Sequence, residues 1–282
     1  MKKLNRNTYL SICLLLLLSL IFSSTTIAQL HPRGYSSPEV HSDKTVTFNF
    51  RAPRASEVKL NTQCLSEEVV MQKGDNGVWS ITVGPVVPDI YPYHFVVDGI
   101  GVADPINPDI FPNEGFKNSL VEIPGDSPGV ADIKNIPHGT VARRYYHSDV
   151  LDVRSLLVYT PPGYEKSTTK NYPVLYLLHG STDTEETWTK VGRANIIIDN
   201  LIEQGKAESM IIIMPYGRAY PKYGFDSGSL RDSANLFEFH KDFTENILPF
   251  VEGNYRIKKG PKSRAITGFS GGGGESLFIG LS

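Results

Sequence analysis

The chain has very little cysteine, with Cys13 and Cys64 as its two residues of this type in 282. Cys13 lies within an apolar run, residues 10–22, that follows three basic residues, which is the pattern of a secretory signal peptide. Small residues before position 29 predict cleavage after Ala28, so we expect residues 1–28 to be removed from a secreted or periplasmic protein. With Cys64 alone in the mature chain, no intrachain disulfide can form, and the core must hold the fold.

An excess of positive charge is also missing. Lysine and arginine number 28 against 30 acidic residues, a formal charge of −2, and no basic block follows the signal segment. We therefore expect no nucleic-acid partner. The apolar run 10–22 is shorter than the roughly 18 residues that a spanning helix needs, so we expect no membrane association after cleavage.

The sequence contains neither metal nor cofactor motifs. There is no H-E-x-x-H pattern and no Cys–His cluster. The glycine run near the end places Glu275 where a phosphate-binding loop has its lysine, and no acidic residue follows at the distance of a dinucleotide fingerprint. We expect no metal and no cofactor.

Residues 29–125 show the period-two alternation of β-strands in a small all-β sandwich. Trp79 shares a face with Ile81 and Val83, so core packing is favoured over an exposed sugar-binding role. Residues 126–139, rich in proline and glycine, are predicted to be a linker. The alternating apolar residues of this region are Val46, Phe48, Phe50, Trp79, Ile81, Val83, Tyr91, Tyr93, Phe95 and Val97, followed by an Asp98-Gly99 turn.

Residues 140–282 change to short apolar runs that alternate with helical periodicity. Nearly continuous apolar character predicts strands covered on both faces, and the alternation predicts a doubly wound α/β sheet. The predicted strands are 154–161, 173–180, 210–215 and 264–270, and the predicted helices are 194–204, capped by Gly205, and 236–252, kinked at Pro249.

The stretch "GFSGGGG", residues 268–274, has the pattern of a serine nucleophile on a sharp turn between a strand and a helix. Gly268 and Gly272 flank Ser270 at the two positions where side chains would clash in such a turn. The N–H of Gly271 and that of Ser181, in the loop after an earlier strand, are the two predicted oxyanion donors. The alternative is an ordinary glycine-rich loop in which Ser270 caps the following helix.

Several motifs of residues 137–282 resemble the carbohydrate esterase family that contains feruloyl and acetyl xylan esterases, relatives of the enterochelin esterases. That family implies an α/β-hydrolase fold and a serine nucleophile, here Ser270. The family usually has methionine after the serine, where this chain has Gly271, so the turn is expected to be looser. The motifs are "PHG" (137–139), "VYTPPGY" (158–164), "YPVLYLLHG" (172–180), "ETWTKVGRANIIIDNLIEQGKA" (186–207), "MIIIMPYG" (210–217), "FHKDFTENILPFVEGNYRI" (239–257) and "RAITGFSGGGGESLFIGLS" (264–282).

The N-terminal region resembles the immunoglobulin-like domain of glycogen-branching enzymes, which also precedes some secreted esterases. The resemblance implies a packing or positioning domain. Its residues are "SPEV" (37–40), "YPYHFVVDG" (91–99) and "DPINP" (104–108).

An acid and a histidine are expected after the nucleophile in this fold, and residues 271–282 offer only Glu275. Glu275 is a weak candidate because it shares the nucleophile's helix. His138, His179 and His240 precede Ser270, and none is expected to replace the missing base. We therefore expect residues 1–282 to be the inactive N-terminal part of a longer chain, with an incomplete sheet and an exposed edge at 264–270.

These patterns predict a secreted serine esterase that acts on feruloyl or acetyl esters of plant cell-wall polysaccharide such as xylan. Two alternatives stay open: a siderophore trilactone esterase, and a non-catalytic carbohydrate-binding or scaffold protein. The acyl specificity does not follow from these residues.

Overall fold

A computed structural model of the chain describes residues 34–219 and 233–282. The predicted signal peptide and its cleavage point lie outside the described residues. Ser37–Ser282 form one structural unit. Among the described residues, none of the helices combines the length and apolar character required to cross a membrane.

The described part of the N-terminal region, from residue 34, contains nine strands in two antiparallel sheets. They are β1 (Glu39–Val40), β2 (Val46–Arg51), β3 (Val58–Thr62), β4 (Val69–Val70), β5 (Gln72–Lys73), β6 (Val78–Val83), β7 (Ile90–Val97), β8 (Ile100–Val102) and β9 (Ser119–Glu122). The first sheet has the order β1-β2-β6-β5 and the second β4-β3-β7-β8, with β9 also paired to β7. This is the all-β region that the period-two alternation predicts.

The core of this region comes from the alternating residues of β2, β6 and β7. Phe48 packs edge-on against Tyr93, with ring centroids 4.8 Å apart, and both side chains are fully buried. Trp79 is also buried, and its indole N–H donates to the carbonyl of Ala52 at 2.9 Å. The prediction that Trp79 packs in the core is confirmed.

No strand or helix is present between residues 123 and 139. The segment is held by Asn200, whose amide group donates to the carbonyls of Val130 and Asp132 at 2.7 and 2.9 Å. The linker and domain boundaries stay predictions, because the all-β region and the following sheet belong to the same unit.

The C-terminal region contains a five-stranded mixed sheet. Its strands are β10 (Thr140–Ser148), β11 (Asp152–Thr160), β12 (Val174–Leu178), β13 (Ile211–Pro215) and β14 (Arg264–Gly268). Their order is β10-β11-β13-β12-β14, with β12 parallel to both β13 and β14. β12 and β13 are almost wholly buried, as their continuous apolar sequences predict.

Helices cover both faces of this sheet. They are α1 (Thr187–Lys190), α2 (Ala194–Glu203), α3 (Ser233–Asp242), a π-helical segment (Phe243–Ile247), α4 (Leu248–Asn254) and α5 (Gly271–Leu281), with a 3₁₀ turn at Pro261–Ser263. Alternate residues of β13 face opposite sides: Ile211 and Ile213 pack with the α3 and α4 side, and Ile212 and Met214 with the α2 side. A sheet clad on both faces by helices is the predicted α/β architecture.

Two features of this region differ from the sequence-based expectation. β10 was not predicted as a strand, because Arg143, Arg144 and other polar residues interrupt its apolar alternation.

The predicted helix 236–252 begins earlier, at Ser233, and contains the π-helical segment. Its buried aromatic and aliphatic residues, Phe239, Phe243, Ile247 and Val251, recur every four residues. An i→i+5 segment turns less per residue and so keeps this spacing on one face.

The pairing of β14 with β12 positions the site. Leu178 is the register partner of Gly268, so the two parallel strands end side by side. The loop that contains Ser181 and the turn that contains Ser270 therefore start at the same edge of the sheet. Among the described residues β14 forms one edge of the sheet and β10 the other, and Ile266 of β14 is half-buried.

Candidate active site

Ser270 occupies a strained turn between β14 and α5. Its backbone angles are φ 52° and ψ −111°, in a region that residues with a side chain rarely adopt. Such strain persists only where the surroundings impose it, and it is typical of a nucleophile lifted above a sheet. Ser270 is exposed to solvent. Its hydroxyl is thus accessible to a substrate.

Gly268 and Gly272 meet inside this turn. A Cβ atom on Gly268 would lie 2.5 Å from the carbonyl oxygen of Gly272 and 2.8 Å from that of Leu178. One on Gly272 would lie 2.4 Å from the carbonyl oxygen of His179. Real Cβ atoms do not approach backbone this closely, so the turn requires glycine at both positions.

The two predicted oxyanion donors lie next to each other. A Cβ atom on Gly271 would lie 3.3 Å from the backbone nitrogen of Ser181 and 2.5 Å from its Oγ. Within the described part of the chain, neither of these two N–H groups donates a hydrogen bond. A cavity of about 10 Å³, roughly the space of one water molecule, is lined by both residues. Their assignment as an oxyanion hole stays a prediction.

His179 is buried beside these amides, and both of its ring nitrogens have backbone partners. Nδ1 lies 2.8 Å from the carbonyl oxygen of Gly180, and Nε2 accepts from the N–H of Gly217 at 3.0 Å. Burial lowers the pKa of His179 below its usual value. This ring therefore has no free nitrogen with which to take a proton from Ser270.

The other two histidines considered as bases have partners elsewhere. His138 lies between Asp199, with Nδ1 to Oδ2 at 3.0 Å, and the carbonyl of Lys134. His240 packs edge-on against Phe278, with ring centroids 5.7 Å apart. Within residues 34–219 and 233–282, no side chain accepts a hydrogen bond from the hydroxyl of Ser270.

Glu275 is buried on the inner side of α5 and lines the same small cavity. The amide of Asn235 donates to its Oε1 at 3.4 Å. Burial raises the pKa of Glu275 to about 8, and the hydrogen bond from Asn235, which lowers the pKa, offsets only part of this effect. Glu275 is thus a largely protonated group packed under the turn.

A loop of the N-terminal region, residues 111–117, contacts the loop that contains Ser181. The amide of Asn113 donates to Thr182 Oγ1 and to Asp183 Oδ1, each at 2.8 Å. The N–H of Glu114 donates to the carbonyl of Thr182 at 2.7 Å. The sequence did not predict these contacts, since no local pattern connects residues about 70 positions apart.

Arg218 joins the same contact from the loop after β13. Its Nη2 donates to the carbonyl of Ser181 at 2.9 Å, and its Nε lies 3.6 Å from Oε2 of Glu114. The hydroxyl of Tyr216 donates to the same carboxylate oxygen at 2.8 Å. Arg218 comes directly after the motif at residues 210–217, but no local sequence pattern indicates that it contacts Ser181 and Glu114.

An open groove of about 370 Å³ runs between the 111–117 loop and the 184–190 segment. Ile110, Phe111 and Pro112 form an apolar part of its wall, and the remaining wall is polar and charged. The polar and charged lining residues are Asn113, Glu114, Lys117, Arg143, Thr184, Glu185, Glu186 and Lys190. In the part of the chain that the structure describes, no group of three His, Cys, Asp or Glu side chains could hold a metal ion.

Residues 152–282 match the family model described as "Putative esterase". The fold and this match define the class of the matched part of the chain, an α/β-hydrolase-like domain of an esterase family that follows an all-β region. The match shows an esterase-family domain over residues 152–282, a little under half of the chain.

Two curated proteins are similar to this chain over half or more of its length. The endo-1,4-beta-xylanase/feruloyl esterase of Xylanibacter ruminicola is 32% identical over 255 residues, 88% of this chain and 34% of that protein. Endo-1,4-beta-xylanase Y of Acetivibrio thermocellus is 28% identical over 152 residues, 50% of this chain and 13% of that protein. The chain thus spans about a third or less of the length of these curated relatives.

One solved structure shows the fold over both regions. The enterobactin esterase of Shigella flexneri superposes with a TM-score of 0.61 at 17% identity, covering 84% of this chain and 66% of that one. The predicted α/β fold with an N-terminal all-β region is confirmed.

Proposed function

We propose that this protein is a secreted serine esterase that hydrolyses feruloyl or acetyl esters on plant cell-wall polysaccharide. One observation carries the proposal most: Ser270 is exposed on a strained strand-to-helix turn beside two backbone N–H groups without partners among the described residues. The substrate class is supported by the relative whose name combines xylanase and feruloyl esterase.

In this mechanism Ser270 Oγ attacks the ester carbonyl, and its proton passes to a base. The carbonyl oxygen becomes an oxyanion that accepts hydrogen bonds from the N–H groups of Ser181 and Gly271. As this intermediate collapses, the base gives that proton to the leaving oxygen, so the polysaccharide hydroxyl is released and the acyl group stays on Ser270. Water then attacks the acyl-enzyme, releases the acid and restores the serine. The polar groove beside the 184–190 segment supports a hydroxyl-rich substrate, because its carboxylates, amide and cationic groups can bind sugar hydroxyls.

The test uses the protein expressed from its complete gene. We expect it to release ferulate from a feruloylated arabino-oligosaccharide or acetate from an aryl acetate, and to react with a fluorophosphonate at Ser270. Ser270→Ala should lower kcat at least about 1,000-fold, because it removes the nucleophile. Unchanged turnover in Ser270→Ala rejects the proposal.

Two further outcomes separate the alternatives. Hydrolysis of a siderophore trilactone in preference to the feruloyl ester would assign the protein to siderophore release. Tight glycan binding without fluorophosphonate labelling would assign it to a non-catalytic binding role.

A further inference from the structure

The peptide group between Gly180 and Ser181 carries one of the two proposed oxyanion donors. Its C=O belongs to Gly180 and its N–H to Ser181, and a trans peptide unit holds these two bonds in one plane, pointing in opposite directions. A side chain that fixes the direction of the Gly180 carbonyl therefore also fixes the direction of the Ser181 N–H. His179 Nδ1 lies 2.8 Å from that carbonyl oxygen, which also accepts from the N–H of Asp183 at 3.1 Å.

The second ring nitrogen determines where the proton of His179 resides. The N–H of Gly217 can only donate, and it lies 3.0 Å from Nε2, so Nε2 must be the bare, accepting nitrogen. The ring proton is then on Nδ1, where it donates to Gly180. A protonated ring would set Nε2–H against the Gly217 N–H and break this arrangement.

The surroundings favour the neutral ring. His179 is 5% exposed, and its burial disfavours the charged form. Asp183 and Glu185 favour protonation, Arg218 opposes it, and burial is the largest of these influences. Glu275, which lines the same cavity, is itself largely protonated near neutral pH, so it adds little negative charge.

We infer that His179 is a positioning residue, which aims the Ser181 N–H at the developing oxyanion by holding the Gly180 carbonyl with a neutral, Nδ1-protonated ring. This inference rests on the proposed esterase function. His179 does not contact the substrate in this scheme. It acts through the peptide group, and it differs in this respect from a general base.

Amide side chains can replace one nitrogen of the ring at a time. The Nδ2 of asparagine reaches the position of Nδ1 and can donate to Gly180, whereas the Oε1 of glutamine reaches that of Nε2 and can accept from Gly217. Complete loss of an oxyanion donor lowers kcat about 100-fold or more. His179→Ala and His179→Gln misdirect the Ser181 N–H without removing it, so we expect them to lower kcat by about 10- to 100-fold with KM within about threefold. His179→Asn should retain kcat within about fivefold of the wild type.

His138→Ala is the matched control, because it also removes a histidine with two hydrogen-bonded nitrogens, but neither partner adjoins Ser181. Its kcat should equal that of the wild type. A His179→Ala variant with wild-type kcat, or a Gln variant as active as the Asn variant, overturns the inference.

A second measurement does not depend on the variants folding or on turnover. The ¹⁵N shifts of the His179 ring in the wild-type protein at pH 7 should show a protonated Nδ1 and a bare Nε2. A protonated Nε2 overturns the inference on its own. If the wild type hydrolyses no ester, the proposed function fails while the tautomer is still measured. If it hydrolyses esters and His179→Ala is unaffected, only the inference fails.

Discussion

The α-carbon of Gly272 lies so close to His179 that a Cβ atom added to it would sit 2.4 Å from the His179 carbonyl oxygen. The neighbouring carbonyl of Leu178 would be 2.7 Å away. Both obstacles are backbone atoms at the end of β12, which cannot rotate away as a side chain could. The helix after Ser270 can approach β12 only because this position has no side chain.

Gly272→Ala should therefore destabilise the protein by about 2–4 kcal/mol, because the helix must move away from β12. Gly274→Ala is the matched control on the same helix, since nothing lies within 4 Å of a Cβ there. Alanine should stabilise that position by about 0.5–1 kcal/mol through its higher helix propensity. Urea denaturation of both variants measures the difference, and equal free energies of unfolding would contradict this account.

Gly271→Ala tests whether the two oxyanion amides are adjacent. The new Cβ would meet Ser181 Oγ at 2.5 Å, so we expect the loop to shift and kcat to fall. Ser181→Ala removes that oxygen but keeps the backbone N–H, and in the double variant the remaining contacts are 3.3 Å. The double variant should thus recover activity, with a coupling energy of about 1–2 kcal/mol in a double-mutant cycle of kcat/KM. Additive losses would show that the side chains do not meet.

The buried carboxyl of Glu275 should make stability depend on pH. Its pKa is raised to about 8 in the folded protein from 4.5, so the folded state binds its proton more tightly than the unfolded state. Its contribution is fully present below pH 4.5 and is lost as the pH rises through about 8. Glu275→Gln cannot ionise and keeps an oxygen for the amide of Asn235.

We therefore expect the Gln variant to lose less stability than the wild type between pH 5 and 9, and to be the more stable of the two at pH 9. The difference should be on the order of a few kcal/mol. Urea denaturation midpoints at pH 5, 7 and 9 provide the measurement. Parallel pH profiles for the two proteins would show that Glu275 has an ordinary pKa.

Asn113→Asp tests the contact between the N-terminal region and the Ser181 loop. Asn113 is 3% exposed, and its amide donates to Asp183 Oδ1. The aspartate keeps the oxygen that accepts from Gly115 and Phe116 but sets a carboxylate against Asp183. We expect a loss of about 2–3 kcal/mol in the free energy of unfolding.

The reciprocal change, Asp183→Asn, should restore a donor and an acceptor in the double variant and recover most of this loss. Thermal unfolding of both single variants and the double variant provides the comparison. If Asp183→Asn gives no recovery, the pair does not interact in solution.

The sequence predicted the strands and helices best where one local pattern dominates. β13 is five consecutive apolar residues, which predicts a strand buried on both faces. β2 alternates strictly between apolar and polar residues, which predicts a strand buried on one face. β10 was missed because Arg143 and Arg144 interrupt its apolar alternation and only Tyr146 and Ser148 of the strand are buried. The four-residue spacing from Phe239 to Val251 predicts a helix, but an α-helix also accommodates it, so the π-helical segment had no distinct sequence signal.

The candidate site was predictable in part for the same reason. The glycines around Ser270 are local to one turn, and their spacing alone indicates where a side chain would clash. Two residues were missed, Asn113 and Arg218, whose partners lie in distant segments. The roles of Ser270, Ser181 and Gly271 stay predictions until their chemistry is tested.

The sequence by itself determined the order of the elements and the sharp turn at Ser270, because hydrophobic periodicity and glycine spacing act over a few residues. The tertiary structure decided that Leu178 and Gly268 are register partners, which brings Ser181 beside Gly271, and that His179 is bonded at both nitrogens. Strand register and buried hydrogen bonds depend on packing between distant segments. No local pattern encodes them.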